Sequence, residues 1–491
     1  MISAETLFAR GVPRTKEASS AAQKAANIAV SRGFAPEAVL SAMREICTAR
    51  GLVPEGTDAA LAEILAPFAE TIREAASGRT VYAEREAPAP WKSWAGDEVE
   101  ELALDQMRNA CRLPVSAGGA LMPDAHTGYG LPIGGVLAVR NAVIPYAVGV
   151  DIACRMRLSV LDLPLESLEA DAAKLREAII RETKFGAGAC YRAGETLSHP
   201  VRDEAAWMAA GPIAESVRRT AASQLGTSGS GNHFVEFGVF TAERDISEPS
   251  FSLRAGRYVA LLSHSGSRGA GSTIAKHYSE LAQSLHPELP EGMRHLAWLD
   301  LGTPEGDEYW RAMELMGRYA SANHELIHER VIRHAGARVL GVVENHHNFA
   351  WKETFGGEEL VIHRKGATPA GEGVLGVVPG SMGAPGFLVK GKGNPASYCS
   401  CSHGAGRRMS RAAAFRSLKE EDMKALLEKR GVSLISGPLD ESPEAYKDIE
   451  AVIANQADLI EVLGRFDPKI VKMASEKDNR FAARRRGKKR S

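Results

Sequence analysis

LMPDAHTGYGLPIGGVLAV, residues 121–139, is where the texture of this chain changes and where its fold class is decided. The apolar runs on either side of the polar centre have strand length, and glycine and proline punctuate them. The same texture recurs downstream in AVIPYAVGVDIACRMRLSV (142–160), HFVEFGVF (233–240), RYVALLSHSGSRG (257–269), VLGVVENHHNFAW (339–351), EELVIHRKGA (358–367) and VLGVVPGSMGAPG (374–386). These runs are rich in β-branched residues, as strands are. Two segments interrupt them with apolar residues at helical spacing: LESLEADAAKLREAIIRETK (165–184) and PEGDEYWRAMELMGRYASANHELIHERVIRHAG (304–336). No repeating βαβ unit is visible. The pattern predicts an α+β fold with glycine-rich loops at strand ends.

Working outward, residues 16–78 carry three segments of helical periodicity, broken at Pro36, between Gly51 and Gly56, and at Gly78. A proline-rich stretch follows, and VEELALDQMRNACRLP reads as a helix ending before Pro114. The expected division is a helical appendage over 1–83, a linker over 84–98, a large α+β domain over 99–473 and a basic tail over 474–491. The last part, RFAARRRGKKRS from Arg480, has seven basic residues and no acid. Such a run is a solvated tail or a source of sequence-independent phosphate affinity.

Composition excludes several classes. Lys+Arg 60 against Asp+Glu 61 leaves a net charge of −1, so any nucleic-acid footprint must be local. The 6 cysteines form no CxxC pair, which argues against a zinc ribbon or a disulfide framework and for a reducing, cytoplasmic location. The sequence shows no signal-peptide h-region and no long apolar run, so no membrane association is expected.

Chemistry concentrates around histidine. Of 14 histidines, His126, His233, His264, His346, His347, His363 and His403 lie in small-residue or polar motifs. Several sit where an apolar run meets a loop, as do Asp151 and Cys154 in VGVDIAC. A mixed Asp, Cys and His set suits manganese, zinc, iron or cobalt, and spacing does not choose among them. In SCSHGAGRRMSR (400–411), His403 stands on a glycine-rich turn with Arg407, Arg408 and Arg411 close by. Ser410 and Arg411 read as the start of a helix, so the turn is expected to lead into a helix N-terminus that favours an anion. A histidine beside a phosphate cradle suits acid/base work or direct attack on phosphorus. Neither a P-loop nor a dinucleotide fingerprint is present.

Taken in order, LMPDAHTGYG, VGVDIAC, SGSGNHFVE, HSGSRGAG, ENHHNFA, HRKGATPA, PGSMGAPG, SCSHGAGRRMSR and DESPEAYKDIE resemble the RtcB-type RNA-splicing and RNA-repair ligases. The resemblance runs from about residue 91 to residue 472 and leaves out the helical appendage and the basic tail. It implies joining of RNA 3′-phosphate or 2′,3′-cyclic phosphate ends to 5′-hydroxyl ends, with GTP and two Mn²⁺ ions. It implies that His403 is the nucleophile that becomes guanylylated, and that the GMP then passes to the RNA 3′-phosphate. Asp151, Cys154, His233, His264 and His347 match manganese ligands. Asn232, His233, Phe234, Val235, Glu236, His347, Asn348, Pro379, Gly380, Ser381, Met382, His403, Gly404, Ala405, Gly406 and Lys472 match nucleotide contacts.

The chain departs from the family pattern in places. Ala153 and Arg155 flank Cys154 where relatives carry glycine, Gly386 stands where serine is common, and His324 follows Asn323 where arginine is usual. These changes bear on end preference and guanine selectivity more than on the chemistry. A metal-dependent phosphoesterase on the same site is the alternative enzyme, distinguished by not needing GTP. An RNA-binding protein without turnover is a third reading, against which the retained ligands and His403 argue.

Overall fold

Strand after strand pairs with a neighbour of opposite direction in the computed structural model, which describes residues 2–475, 477 and 478 apart from 77, 78, 84, 97, 98 and 204. In chain order the strands of the two large sheets are β1 (Trp91–Ser93), β2 (Ser116–His126), β3 (Ile133–Val139), β4 (Arg155–Leu161), β5 (Phe234–Ala242), β6 (Gly256–Ser265), β7 (Val339–His346), β8 (Asn348–Phe355), β9 (Glu358–Lys365), β10 (Leu375–Val378), β11 (Gly386–Gly391), β12 (Ser433–Ser436) and β13 (Ile460–Met473). One sheet has the order β1-β2-β3-β9-β8, the other β7-β4-β6-β5-β13-β11-β10 with β12 beside β13. Only the β1–β2 and β12–β13 pairings are parallel among these. The second sheet curls until its edges meet: the Asn345 side chain on β7 accepts a hydrogen bond from the Val377 N–H on β10, at 2.8 Å.

Side chains alternate across that curled sheet as the strand period requires. Met156 and Leu158 of β4, Leu262 of β6, Val343 of β7, Val377 of β10 and Phe466 of β13 fill one core. Val235 and Phe237 of β5 and Val259 and Leu261 of β6 face the other way. There they pack on Ile327 and Val331 of a long helix, Pro304–Ala335. That helix begins and ends as its sequence predicts. Thr303 caps the Gly306 N–H, Pro304 opens the first turn, and Gly336 closes it at φ 74°.

Two helices within the main body, Pro212–Gln224 and Arg268–Leu285, are not among the helical segments read from the sequence. The second starts inside SRGAGS, whose glycines read as a loop. Packing of Ile274, Tyr278 and Leu281 into the largest core overrides that local preference. The 84–98 stretch, expected as a linker, contributes β1 to the first sheet, and the Trp94 N–H donates to Leu121 O at 2.8 Å.

The N-terminal helices Ala4–Ala9, Lys16–Ser31, Pro36–Thr48 and Ala59–Ala76 have a core of their own, with Leu40, Met43, Ile46, Leu65 and Phe68 buried in it. Arg50 pairs with Glu288 at 2.9 Å and Arg79 with Glu305 at 2.8 Å, fastening this unit to the main body. No described helix is long and apolar enough to cross a membrane. The basic run 480–491 lies outside the described residues.

Candidate active site

Four strand ends deliver donor atoms to one point. Cys154 precedes β4, His233 precedes β5, His264 lies near the end of β6, and His347 links β7 to β8. The Cys154 Sγ lies 3.1 Å from His264 Nε2 and 3.4 Å from His233 Nε2. His264 Nε2 is 3.2 Å from His347 Nε2, and Asp151 Oδ2 is 3.0 Å from His233 Nε2. Thus all five residues matched to metal ligands meet. The far nitrogens set the tautomer. His264 Nδ1 lies 3.1 Å from Asn232 O, and His233 Nδ1 lies 3.1 Å from Ser228 O. A carbonyl only accepts, so His264 Nδ1 carries the proton and its Nε2 turns a lone pair into the cluster, whereas His233 Nδ1 also lies 3.2 Å from the Arg268 guanidinium, which only donates.

Electrostatics favours a cation there. Burial, then neighbouring histidines, pushes His264 and His347 well below the usual imidazole range, so both remain neutral ligands. Burial, reinforced by the Asp151 charge, pushes the Cys154 thiol well up. Burial also works to raise Asp151, but the His233 hydrogen bond and nearby positive charge outweigh it and bring the carboxyl down to about 2. A divalent ion would relieve the facing lone pairs and ionise the thiol, so the donor set fits a metal of borderline softness. Gly266 lets the carboxylate come close, since a Cβ there would lie 2.3 Å from Asp151 Oδ1.

His403 adjoins this cluster, its ring centroid 4.9 Å from that of His347. It follows a short strand, Ser400–Ser402, paired with Ala367–Pro369. Asp124 fixes it from behind. One carboxylate oxygen accepts the His403 backbone N–H at 3.0 Å and lies 2.6 Å from Nδ1. Asp124 is fully buried, and the adjacent Gly406 has φ +70° and sits where a Cβ would lie 2.1 Å from Asp124 O. The proton therefore resides on Nδ1 and the Nε2 lone pair is exposed for attack. Sequence reading did not single out Asp124. Its signal was an acid inside an otherwise apolar strand run, two residues before His126 and hence on the same face.

The surroundings of His403 differ from expectation. The helix that follows starts where the sequence places it, at Arg411 with Ser410 capping the Ala413 N–H, but it has only 7 residues and His403 is not in its first turn. His403 thus belongs to a strand end, not to a helix N-terminus. The arginines are also engaged by protein acceptors. Arg411 pairs with Asp440 and Glu441, Arg407 donates to Asp440 O at 2.7 Å, and Arg408 donates to Glu444 O at 2.8 Å.

A cavity of about 220 Å³ connects the cluster to His403. Asp151, Cys154, Asn232, His233, Phe234, His264, His347, Asn348, Pro379, Gly380, Ser381, Met382, His403, Gly404, Ala405 and Gly406 line it, together with His126, Arg407, Arg411, Glu441 and Tyr446. Val235 instead points into the core beneath the long helix. Glu236 falls on the same face of β5 as Phe234, is buried, and has a carboxyl raised well above its usual range by that burial. Lys472 does not reach the cavity: its ammonium lies 3.4 Å from Thr183 Oγ1 and over the Phe185 ring, while its neighbour Met473 lines the cavity.

The departures are accommodated locally. Arg155 turns away from the cluster to pair with Glu344 and to donate to Gly317 O at 3.0 Å. Ala153 takes the left-handed conformation at φ 57°, a cost its glycine counterpart would avoid. His324 is buried, with Nδ1 2.8 Å from Ser263 Oγ.

Comparison with known proteins gives the family. The family model described as tRNA-splicing ligase RtcB matches residues 106–217 and 201–473, so the N-terminal helices stand outside it. The chain is 36% identical over 401 residues to the RNA-splicing ligase RtcB of Escherichia coli, covering 76% of this chain and 95% of that protein. It is 30% identical over 443 residues to the tRNA-splicing ligase RtcB of Archaeoglobus fulgidus, covering 75% and 90%. A homologue of RNA-splicing ligase RtcB from Entamoeba dispar is 30% identical over 433 residues. With a family model across most of the chain and relatives matched over nearly their whole length, this protein belongs to the RtcB family of RNA-splicing ligases and is an RNA ligase.

Proposed function

We propose that the protein joins RNA 3′-phosphate or 2′,3′-cyclic phosphate ends to 5′-hydroxyl ends, using GTP and passing through guanylylated His403. The observation that carries this reading is the Asp124–His403 pair: a buried carboxylate 2.6 Å from Nδ1 leaves Nε2 as a nucleophile in the same cavity as the ligand cluster. Nε2 attacks the α-phosphorus of GTP and pyrophosphate departs. Asp124 holds the Nδ1 proton and stabilises the positive ring that forms. A 3′-phosphate oxygen of the RNA then attacks the same phosphorus and frees His403, giving an RNA-ppG end. The 5′-hydroxyl attacks the RNA phosphate and GMP leaves. A cyclic end must first be opened by water to a 3′-phosphate.

Asp151, Cys154, His233, His264 and His347 would hold two Mn²⁺ ions, which when bound neutralise charge on the phosphates. Asp151 would contribute carboxylate oxygens to that set, Oδ2 lying 3.0 Å from His233 Nε2. Asn232, Asn348, Ser381 and the backbone at Gly404 and Gly406 would supply polar groups for the nucleotide, with Phe234 beside them on the cavity wall. The six free thiols fit a reducing, cytoplasmic setting.

The test is end-joining with a 3′-phosphate RNA and a 5′-hydroxyl RNA. Joining that requires both GTP and Mn²⁺ supports the reading. Loss of the 3′-phosphate without GTP and without joining would instead establish a phosphoesterase.

A further inference from the structure

The loop over residues 127–132 connects His126 to Ile133, both of which line the cavity, and it is held unusually firmly for a loop. The Thr127 N–H donates to Glu100 at 3.0 Å, and the Gly128 N–H donates to Gln106 Oε1 at 3.0 Å. Gln106 Nε2 donates back to Gly128 O at 2.5 Å. From the other side Lys365, itself 5% exposed, donates to Tyr129 O at 2.5 Å and to Leu131 O at 2.9 Å. Gly130, at φ +70°, seats the loop on its neighbour, for a Cβ there would lie 2.9 Å from His295 O.

What this rigid loop presents to solvent is an aromatic ring. Tyr129 is 69% exposed. Behind it the His295 ring meets it edge-on at 5.8 Å, and Tyr146 lies 4.4 Å beyond His295. Among the described residues nothing covers the open face of Tyr129, and its hydroxyl makes no hydrogen bond. Pinning a backbone through a buried amine is expensive, and an exposed ring returns none of that cost to folding. A fixed, braced ring on a loop whose two ends line the cavity matches what single-stranded nucleic acid uses, because every base has a π-face to stack.

We propose that Tyr129, braced by His295, is the stacking face for a nucleobase of the RNA end whose terminal phosphate enters the cavity. The proposal rests on the cavity being where an RNA end reacts. Stacking of one base has a typical worth of about 1–3 kcal/mol, which places the effect at roughly ten-fold or more in affinity.

The experiment measures binding of short single-stranded 3′-phosphate RNAs to wild type, Tyr129→Ala and Tyr129→Phe, with unmodified RNA and with an abasic residue at each terminal position in turn. Tyr129→Ala should bind unmodified RNA roughly ten-fold more weakly while keeping wild-type labelling by GTP alone, and Tyr129→Phe should bind as wild type does. At one abasic position wild type and Tyr129→Ala should bind equally. Equal binding of unmodified RNA by wild type and Tyr129→Ala would overturn the proposal. So would an alanine penalty that persists at every abasic position, since the ring would then only prop the loop. A wild-type protein that binds none of these RNAs would overturn the RNA-end reading itself, and the stacking face with it.

Discussion

At the scale of single residues, the chemistry turns on which nitrogen of His403 carries the proton. Asp124 settles it, and a neutral replacement should unsettle it. Asp124→Asn keeps the size of the side chain but offers an amide N–H as readily as an acceptor, so the ring is free to take the wrong tautomer. By analogy with the carboxylate of a serine-protease triad, guanylylation should slow on the order of 10³–10⁴-fold. Metal content should not change, since Asp124 is not among the clustered donors. Rapid-quench measurement of label transfer from GTP checks this, and a loss under ten-fold would remove Asp124 from the mechanism. The same scale shows where sequence reading stops. Asp151, Cys154, His233, His264 and His347 were legible because each stands where an apolar run meets a loop, and His403 because it stands on a glycine-rich turn. Asp124 was not, because an acid inside a strand gives no hint of the histidine 279 positions away that it holds.

At the scale of elements, most strands and the long helix Pro304–Ala335 were legible from period and capping, since local preference and tertiary packing agree there. The helix Arg268–Leu285 was not, because its start must also provide the backbone that meets Asp151: the Ser267 N–H donates to Asp151 Oδ1 at 3.1 Å. Function wrote glycine and serine where a helix would otherwise signal itself. The three arginines misled in the opposite way, since their partners Asp440, Glu441 and Glu444 come from a distant loop.

One element-scale prediction concerns Lys365 at the end of β9. Burial lowers its amine from the usual 10.5 to about 7. An unfolded lysine titrates near 10.4, so between about pH 7 and that value the unfolded chain holds a proton that the folded chain lacks. Stability from this group therefore rises with pH across the window and is lost as pH falls toward 7. Urea unfolding of wild type and Lys365→Met should show the difference moving in favour of wild type from about pH 7 to about pH 10. A constant difference would mean that Lys365 keeps its ordinary pKa when folded.

At the scale of the whole molecule, two sheets and the loops between them bring widely separated segments to one cavity, from His126 at the end of β2 to Met473 at the end of β13. The N-terminal helices carry their own core and touch the main body through Arg50, Arg79 and Arg14, away from that cavity. Chemistry and appendage are thus separable in space, and the central claim concerns the cavity alone. The most direct measurement is incubation with α-labelled GTP and Mn²⁺ without RNA, followed by mapping of the labelled residue. The label should sit on His403 through an acid-labile, base-stable P–N bond. It should vanish in His403→Ala with metal content intact, and in Cys154→Ala together with metal. Label that survives in His403→Ala, or that maps to a lysine, would contradict the account.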